Sequence, residues 1–241
     1  MLGRPATVGT MPPPDEITVP TGTGPGRLLV SAASSPAGSP WAVLWLGHGA
    51  GGGAGSRDLA ALAAELPRHG VTVVRHEQPW VVAGRRIAPR PAALDAAWLA
   101  AAPAVAELAG GAPLVVGGRS AGARVACRTA GAVGAAAVAC LAFPLHPPGR
   151  PERSRLEELL TPRVPVLVLQ GTRDPFGSAA ELRAAVHGAP PVEVDPVEVV
   201  PVEGADHGLR TGRSAALGQE VTLGRVAAET LRFLRTAVAP D

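Results

Sequence analysis

The chain has 241 residues, enough for one α/β domain with a large core and too few for two domains of ordinary size. It contains no lysine, asparagine or tyrosine, which excludes a Schiff-base lysine, a phosphate-loop lysine, a serine-lysine dyad and a tyrosine general acid. The formal charge of +2 comes from scattered arginines rather than from a basic run with interleaved aromatics, so no nucleic acid partner is expected.

The first 16 residues carry a proline run and no continuous apolar stretch. We therefore expect residues 1–16 to form a disordered lead, with neither a signal peptide nor a membrane-spanning segment. Residues 17–241 are expected to form a single α/β domain. At its start, residues 17–19 and 27–31 predict an edge hairpin across the turn at 21–26.

Beyond residue 40, apolar runs of strand length alternate with segments of helical spacing. Strands are predicted at residues 41–46, 71–76, 114–116, 136–143, 164–170 and 197–202. Helices are predicted at residues 58–68, 92–108, 121–131, 154–160, 178–187 and 219–238. This alternation implies right-handed crossovers, a mostly parallel central sheet flanked by helices, and ligands at the carboxyl ends of the strands. No insertion is long enough for a sizeable cap domain.

A serine follows the strand at 114–116 in the pattern Gly118-x-Ser120-x-Gly122. A strand, a sharp glycine turn and a helix around one serine are typical of a nucleophile elbow. Its flanking positions must be small because neighbouring backbones approach closely. The alternative is an ordinary glycine turn with a helix-capping serine. Ser120 is the candidate nucleophile because an aspartate and a histidine follow it in the order that this motif uses.

Two later strand ends supply the acid and the base of a triad. Asp174 follows the strand at 164–170, and its carboxylate would accept a hydrogen bond from an imidazole and stabilise the imidazolium. A turn-forming Asp-Pro or a helix cap is the alternative. His207 follows the last strand and is the candidate base, whereas His187 near a helix end is expected to interact with terminal carbonyls. Asp206 is interpreted as a loop or capping residue.

A glycine-rich loop at residues 48–53 follows the strand at 41–46. We expect the backbone N–H of Ala50 or Gly51 to complete an oxyanion hole with the N–H of Ala121. A phosphate-binding loop is the rival interpretation. However, the loop at 48–53 lacks the lysine and the Ser/Thr of a Walker motif, and no acidic residue that would bind a ribose is evident.

Further side chains near the strand ends are predicted to line the pocket. They are His48, His76, His146 and Phe176. No H-x-H or H-E-x-x-H spacing accompanies the histidines, so neither a metal nor another cofactor is expected. The charged residues at 75–77 and 85–86 form either a solvated loop or an anion-recognising pocket. Cys127 and Cys140 lack disulfide or zinc spacing and are interpreted as small buried core residues, compatible with a reducing cytoplasm.

Five segments together resemble one family. They are LGHGAGG (46–52), GRSAG (118–122), FPLHPPG (143–149), LQGTRDPFG (169–177) and GADH (204–207). From about residue 41 to its end, the chain resembles the α/β-hydrolases of the dienelactone-hydrolase-like group. More narrowly, it is similar to the branch that includes a testis-expressed protein and a subunit of a histone-acetyltransferase complex. LHPP and GTRD are the most specific parts. The resemblance implies the α/β-hydrolase fold and Ser120, Asp174 and His207 as the triad.

Two positions depart from the pattern of that group. Ala121 stands where many relatives carry methionine, which should widen that side of the pocket while keeping the backbone donor. Ser120 stands where dienelactone hydrolases proper carry a cysteine, so their particular substrate does not carry over to this chain.

Two hypotheses follow for the function. The first is a serine hydrolase that cleaves small esters, thioesters or related acyl compounds through an acyl-enzyme. Short acyl chains are expected because no lid would enclose a long one. The second is a catalytically weak or inactive hydrolase-fold interaction protein, as the eukaryotic relatives are better regarded. A small acyl substrate is the partner expected, with no nucleic acid or membrane, in the cytoplasm. The identity of the substrate and the oligomeric state stay open.

Overall fold

The computed structural model describes residues 13–34, 39–190, 197–212 and 217–238. Within these ranges, one sheet is covered by helices on both faces. Its strands are β1 (Asp15–Thr21), β2 (Gly24–Ser31), β3 (Ala42–Gly47), β4 (Val71–Glu77), β5 (Leu114–Arg119), β6 (Ala137–Leu141), β7 (Val166–Gly171) and β8 (Val197–Val202). The helices are α1 (Arg57–Glu65), α2 (Pro79–Val82), α3 (Pro91–Ala109), α4 (Ala121–Thr129), α5 (Leu156–Leu159), α6 (Ala179–His187) and α7 (Gln219–Val238).

The strand order across the sheet is β1-β2-β4-β3-β5-β6-β7-β8. β2 pairs antiparallel with both β1 and β4, while all other neighbours in the sheet are parallel. Parallel neighbours need crossover connections, and the helices between these strands supply them. The predicted mostly parallel sheet with flanking helices is therefore confirmed. Because β3 to β8 run in the same direction, their carboxyl ends meet at one edge of the sheet.

Two apolar clusters cover the two faces of the sheet. On one face, Trp45 of β3 packs with Trp98 of α3. On the other face, Leu44 of the same strand belongs to a cluster with Leu62 of α1 and Leu234 of α7. Successive side chains of a strand point to opposite faces, so a strand buried on both sides carries mainly apolar side chains. This explains the continuous apolar runs that mark the central strands in the sequence.

α3 is the one helix in the described residues that is long and apolar enough to cross a membrane. Its residues Trp98, Ala101 and Val105 are fully buried in the core cluster, as expected of a core helix in an α/β domain. Cys127 and Cys140 are free, fully buried thiols in the same cluster, with their Sγ atoms 3.6 Å apart. Their interpretation as core residues is confirmed.

Several boundaries differ from the expectation for local reasons. β1 begins at Asp15, which pairs with Val30 of β2, so the last two residues of the predicted lead belong to the sheet. Residues 1–12 of that lead lie outside the described residues. α1 ends at Glu65, and a 3-10 turn takes over, because Pro67 has no N–H to continue an α-helix. α2 forms inside the predicted loop before residue 90, with Pro79 at its first position.

Candidate active site

Ser120 lies at a sharp turn between β5 and α4. Its φ of 52° and ψ of −108° are unusual for a residue with a side chain, and its N–H donates to the carbonyl oxygen of Leu141, 3.0 Å away. Gly118 and Gly122 flank it, and a Cβ at either position would overlap the carbonyl oxygen of Gly47 in β3. Glycine is therefore required at both positions by close contact with the neighbouring strand.

His207 follows β8 and joins Ser120 to Asp174. Its Nε2 lies 2.9 Å from the Ser120 Oγ, and its Nδ1 lies 2.8 Å from the Asp174 Oδ2. An ionised carboxylate can only accept, so Nδ1 carries the proton and Nε2 is free to accept from the serine hydroxyl. The Asp174 side chain is fully buried, and the His207 side chain is 17% exposed. The structure thus brings the three predicted triad residues together, with the His207 Nε2 facing the Ser120 hydroxyl.

The Asp174 carboxylate is held by two further donors. The amide Nε2 of Gln170 donates to Oδ2 over 3.0 Å, and the backbone N–H of Phe176 donates to Oδ1 over 2.8 Å. Gln170 is fully buried and also donates to the carbonyl oxygen of Gly177. It was not among the predicted site residues, and its signal in the sequence is a polar residue near the end of a buried strand.

Phe176 and Asp206 lie beside His207 in different ways. The Phe176 ring stacks on the imidazole, with centroids 4.0 Å apart and planes at 27°. Asp206 does not contact the imidazole through a hydrogen bond, because its Oδ1 accepts from the N–H groups of Gly208 and Arg210 instead. Of its two predicted roles, loop or capping residue, the loop role is confirmed, because these contacts lie within the turn after β8.

A small cavity of about 10 Å³ lies beside the turn between β5 and α4 that carries Ser120. Of the residues predicted to supply the oxyanion hole, Ala50 and Ala121 line this cavity and Gly51 does not. Ala121 opens α4, where the first N–H groups of a helix have no acceptor inside the helix. The remaining walls are mainly apolar and come from Gly47, His48, Gly49, Gln78, Trp80, Ala88, Leu94, Trp98, Gly122 and Val125.

His48 supports the glycine-rich loop from inside the cavity wall. Its Nε2 accepts the N–H of Gln78 over 3.1 Å, so its Nδ1 carries the proton and donates to the carbonyl oxygen of Gly49 over 2.9 Å. Burial lowers the pKa of His48, which keeps the ring neutral in this role. The expectation that His48 lines the pocket agrees with this position.

His76 lies in the core rather than in the pocket, which corrects the expectation that it lines it. Its ring is fully buried, with Trp45 at 6.0 Å and Trp98 at 5.5 Å between centroids. Neither ring nitrogen has a hydrogen-bond partner among the described residues. Burial, with a smaller contribution from His48, lowers the pKa of His76 to about 3. The reason is that β4 is covered on both faces, so Trp98 separates His76 from the cavity.

Three further predicted polar residues have structural partners, namely His146, Arg75 and Glu77, whereas Arg85 and Arg86 are exposed. His146 is absent from the cavity wall; its Nδ1 lies 3.0 Å from the carbonyl oxygen of Pro147, and its backbone N–H donates to Phe176. Arg75 is buried and donates to the carbonyl oxygen of Ala54, and Glu77 pairs with Arg27. Across the described ranges, no group of three or more His, Cys, Asp or Glu side chains is placed to hold a metal ion.

Comparisons with known proteins agree with this architecture. A family model described as an alpha/beta hydrolase domain matches residues 40–235. An α/β serine hydrolase without lid from Xanthomonas campestris aligns with 18% identity over 92% of this chain and 95% of that chain, with a TM-score of 0.70. A serine hydrolase homologue from Coxiella burnetii aligns with 17% identity over 94% and 100%, with a TM-score of 0.72. Dienelactone hydrolase from Anabaena variabilis aligns with 16% identity over 93% and 99%, with a TM-score of 0.68. No protein of curated function matches the sequence.

Proposed function

This chain belongs to the α/β-hydrolase family, and we propose that it is a serine hydrolase that cleaves small esters, thioesters or related acyl compounds. The observation that carries the proposal is the continuous chain of contacts from the Ser120 Oγ through His207 to the buried Asp174 carboxylate, at 2.9 and 2.8 Å. A binding protein has no need for a serine, an imidazole and a carboxylate in this order and geometry.

The reaction would proceed through an acyl-enzyme. The Ser120 Oγ attacks the acyl carbon while the His207 Nε2 takes the hydroxyl proton, and Asp174 stabilises the imidazolium. The N–H groups of Ala121 and of Ala50 or Gly51 would hold the oxyanion. His207 then gives its proton to the leaving alcohol or thiol. A water molecule, deprotonated by the same nitrogen, then attacks the acyl carbon. The bond from that carbon to the Ser120 Oγ breaks, the carboxylic acid leaves, and His207 returns the proton to Oγ.

Short acyl chains are the substrate class that the cavity supports. Its volume of about 10 Å³ is close to the space of one water molecule, so each carbon added to the acyl chain would have to displace its walls further. Trp80, Leu94 and Val125 are the side chains that limit it. A larger open groove of about 800 Å³ lies between α1 and α7, but none of its lining residues adjoins a triad residue in the sequence, whereas Ala121 in the wall of the small cavity directly follows Ser120.

The resemblance to the branch with the testis-expressed protein and the histone-acetyltransferase-complex subunit supports a second candidate, a hydrolase-fold interaction protein with little activity. We place the chain in that branch on LHPP at 145–148 and GTRD at 171–174. We also propose a cytoplasmic location for the protein, because its two cysteines are free, buried thiols.

Labelling with a fluorophosphonate probe separates the two candidates. The wild type is expected to be labelled at neutral to mildly alkaline pH, and Ser120→Ala is expected to lose all labelling. A panel of p-nitrophenyl esters from acetate to octanoate then gives the acyl preference, with the highest kcat/KM expected for acetate. Folded wild-type protein that is not labelled would favour the interaction protein, and a preference for octanoate would contradict the short-chain assignment.

A further inference from the structure

Arg119 contacts three of the segments that build the candidate active site. It is the last residue of β5 and immediately precedes Ser120. Its Nη2 donates to the backbone carbonyl oxygen of His207 over 2.9 Å. On the other side, a Cβ at Gly49 would lie 2.8 Å from the Arg119 Nη1, so the guanidinium packs directly against the glycine-rich loop. The side chain is only 18% exposed.

Asp58 in the first turn of α1 supplies the opposite charge. It is 2% exposed, its Oδ2 lies 3.2 Å from the Arg119 Nε, and its Oδ1 accepts the N–H of Leu59. The Nε–H group does not meet Oδ2 with the geometry of a hydrogen bond, so the contact with Arg119 is an ion pair. A charge buried this deeply is unfavourable without a partner, so each group permits the burial of the other.

We propose that Arg119 is a positioning residue for the histidine of the triad, and that Asp58 anchors it to α1. This inference rests on the proposed function. The loop that carries His207 begins after β8, while Ser120 follows β5, and two strands lie between them in the sheet. The Arg119 side chain spans that gap beside the reacting atoms and fixes the His207 backbone relative to the serine turn.

The charge of the pair fits a positioning role. A lone cation next to the triad would oppose the formation of the imidazolium, because like charges repel strongly where water is excluded. Asp58 offsets that charge, so the guanidinium can hold the His207 carbonyl without raising the energy of the charged intermediate. Arginine suits this task because its planar fork bonds two partners in fixed directions.

The test compares Arg119→Met and Arg119→Lys with Arg124→Met. Arg124 is a matched control on α4, since its side chain is 20% exposed and its guanidinium pairs with Glu158 rather than with a triad residue. For Arg119→Met, we expect kcat on p-nitrophenyl acetate to fall about 10- to 100-fold, the scale of a displacement of about 1 Å, with KM within about 2-fold. Arg119→Lys, which keeps the charge and one donor but loses the planar fork, should have a kcat between those of Arg119→Met and the wild type. Arg124→Met should lower stability and leave kcat unchanged.

A double-mutant cycle with His207→Ala tests whether Arg119 affects the reaction through His207. If Arg119 acts through His207, Arg119→Met in the His207→Ala background should change the fluorophosphonate labelling rate by less than about 2-fold. An equal loss in both backgrounds, a loss confined to KM, or wild-type kcat in folded Arg119→Met would overturn the inference.

Two further measurements separate an effect of these substitutions on folding from an effect on activity. Arg119→Met leaves the Asp58 carboxylate buried without its cation, so the double variant Asp58→Asn/Arg119→Met, which removes both charges, is measured as well. If neither folds by circular dichroism, the kcat of Arg119→Lys decides, and a value equal to the wild type counts against the inference. Absence of labelling in the wild type would overturn the proposed function and this inference together, whereas labelled wild type with unaffected Arg119 variants would overturn this inference alone.

Discussion

The ring of Phe176 stacks on the imidazole of His207 at 4.0 Å, while its own backbone N–H donates to the Asp174 carboxylate. Replacing the side chain therefore removes the stack and keeps the hydrogen bond. Phe176→Leu is expected to lower kcat about 3- to 10-fold, because aromatic pairs contribute roughly 0.5–1.5 kcal/mol and the stack restricts the imidazole plane. Phe233→Leu on α7, in the cluster on the other face of the sheet, is the matched control. An unchanged kcat in Phe176→Leu would show that the ring does not orient the base.

The acid of the triad can be assigned by comparing two neighbouring carboxylates. Asp174→Asn is expected to lower kcat about 10⁴-fold without unfolding the protein, because the amide favours the wrong imidazole tautomer and cannot support the imidazolium. Asp206→Asn should cost far less, since an asparagine oxygen can still accept from Gly208 and Arg210. The measurement is kcat/KM on p-nitrophenyl acetate, with circular dichroism as a check on folding. A larger loss in Asp206→Asn would mean that the acid is wrongly assigned.

Gly122 contacts the Gly47 carbonyl oxygen so closely that a Cβ has no space. Gly122→Ala is expected to lower the free energy of unfolding by more than about 3 kcal/mol, because backbone presses on backbone and no side chain can move aside. Gly224→Ala on α7 is the control: nothing lies within 4 Å of its Cβ position, and the variant should gain about 0.5–1 kcal/mol. Urea titrations measure both. A Gly122→Ala protein of wild-type stability would contradict the tight packing of the nucleophile turn.

His76 makes the stability depend on pH. Its pKa in the folded protein is about 3, well below the unfolded value near 6.5, so between these pH values only the unfolded chain binds the proton. The stability that the neutral ring provides is full above pH 6.5 and falls as the pH drops toward 3, by roughly 5 kcal/mol at most. His76→Phe should flatten urea midpoints measured between pH 4 and 7.

The control for this titration is His187→Phe, because His187 is exposed. Its pH profile should match that of the wild type. At pH 7, His76→Phe should be at least as stable as the wild type, since the two ring nitrogens without partners among the described residues are replaced by carbon. A wild-type pH slope in His76→Phe would show that other groups cause the acid sensitivity.

Trp80 is the side chain with which the acyl preference can be changed. It lines the small cavity and is 7% exposed. Trp80→Leu should raise the ratio of kcat/KM for butyrate over acetate about 10-fold, because each of two newly buried methylene groups contributes about 0.8 kcal/mol. Trp41→Leu is the control. Trp41 directly precedes β3, at the end of the strand away from the cavity, and its Nε1 donates to the carbonyl oxygen of His69. This substitution should leave the ratio unchanged. No change in Trp80→Leu would place the acyl group elsewhere.

The positions of the triad residues could be predicted because each follows a strand that the sequence marks by an apolar run, and parallel strands end at one edge of the sheet. The supporting residues could not be predicted in this way. Gln170 and Arg119 act on the backbone carbonyl oxygens of Gly177 and His207, and a carbonyl is present at every residue. A polar residue near the end of a buried strand, as at Gln170, indicates that a partner exists, but the sequence does not show which carbonyl oxygen it contacts.

His76 shows a different limit of sequence analysis. Its neighbours Arg75 and Glu77 are charged, which favours an exposed segment, yet both side chains find partners in the fold, Ala54 and Arg27. β4 is thereby buried almost throughout, and its histidine enters the aromatic core. Only the tertiary contacts determine whether this segment is exposed or buried.

The backbone of Ser120 has a consequence for the evolution and engineering of this chain. A φ of 52° with a ψ of −108° costs a side-chain-bearing residue of order 1–3 kcal/mol, and glycine adopts such angles with much less strain. Activity and stability thus oppose each other at this one residue. A search for more stable variants that ignored activity would replace Ser120, the proposed nucleophile, with glycine and recover a more stable protein that lacks it.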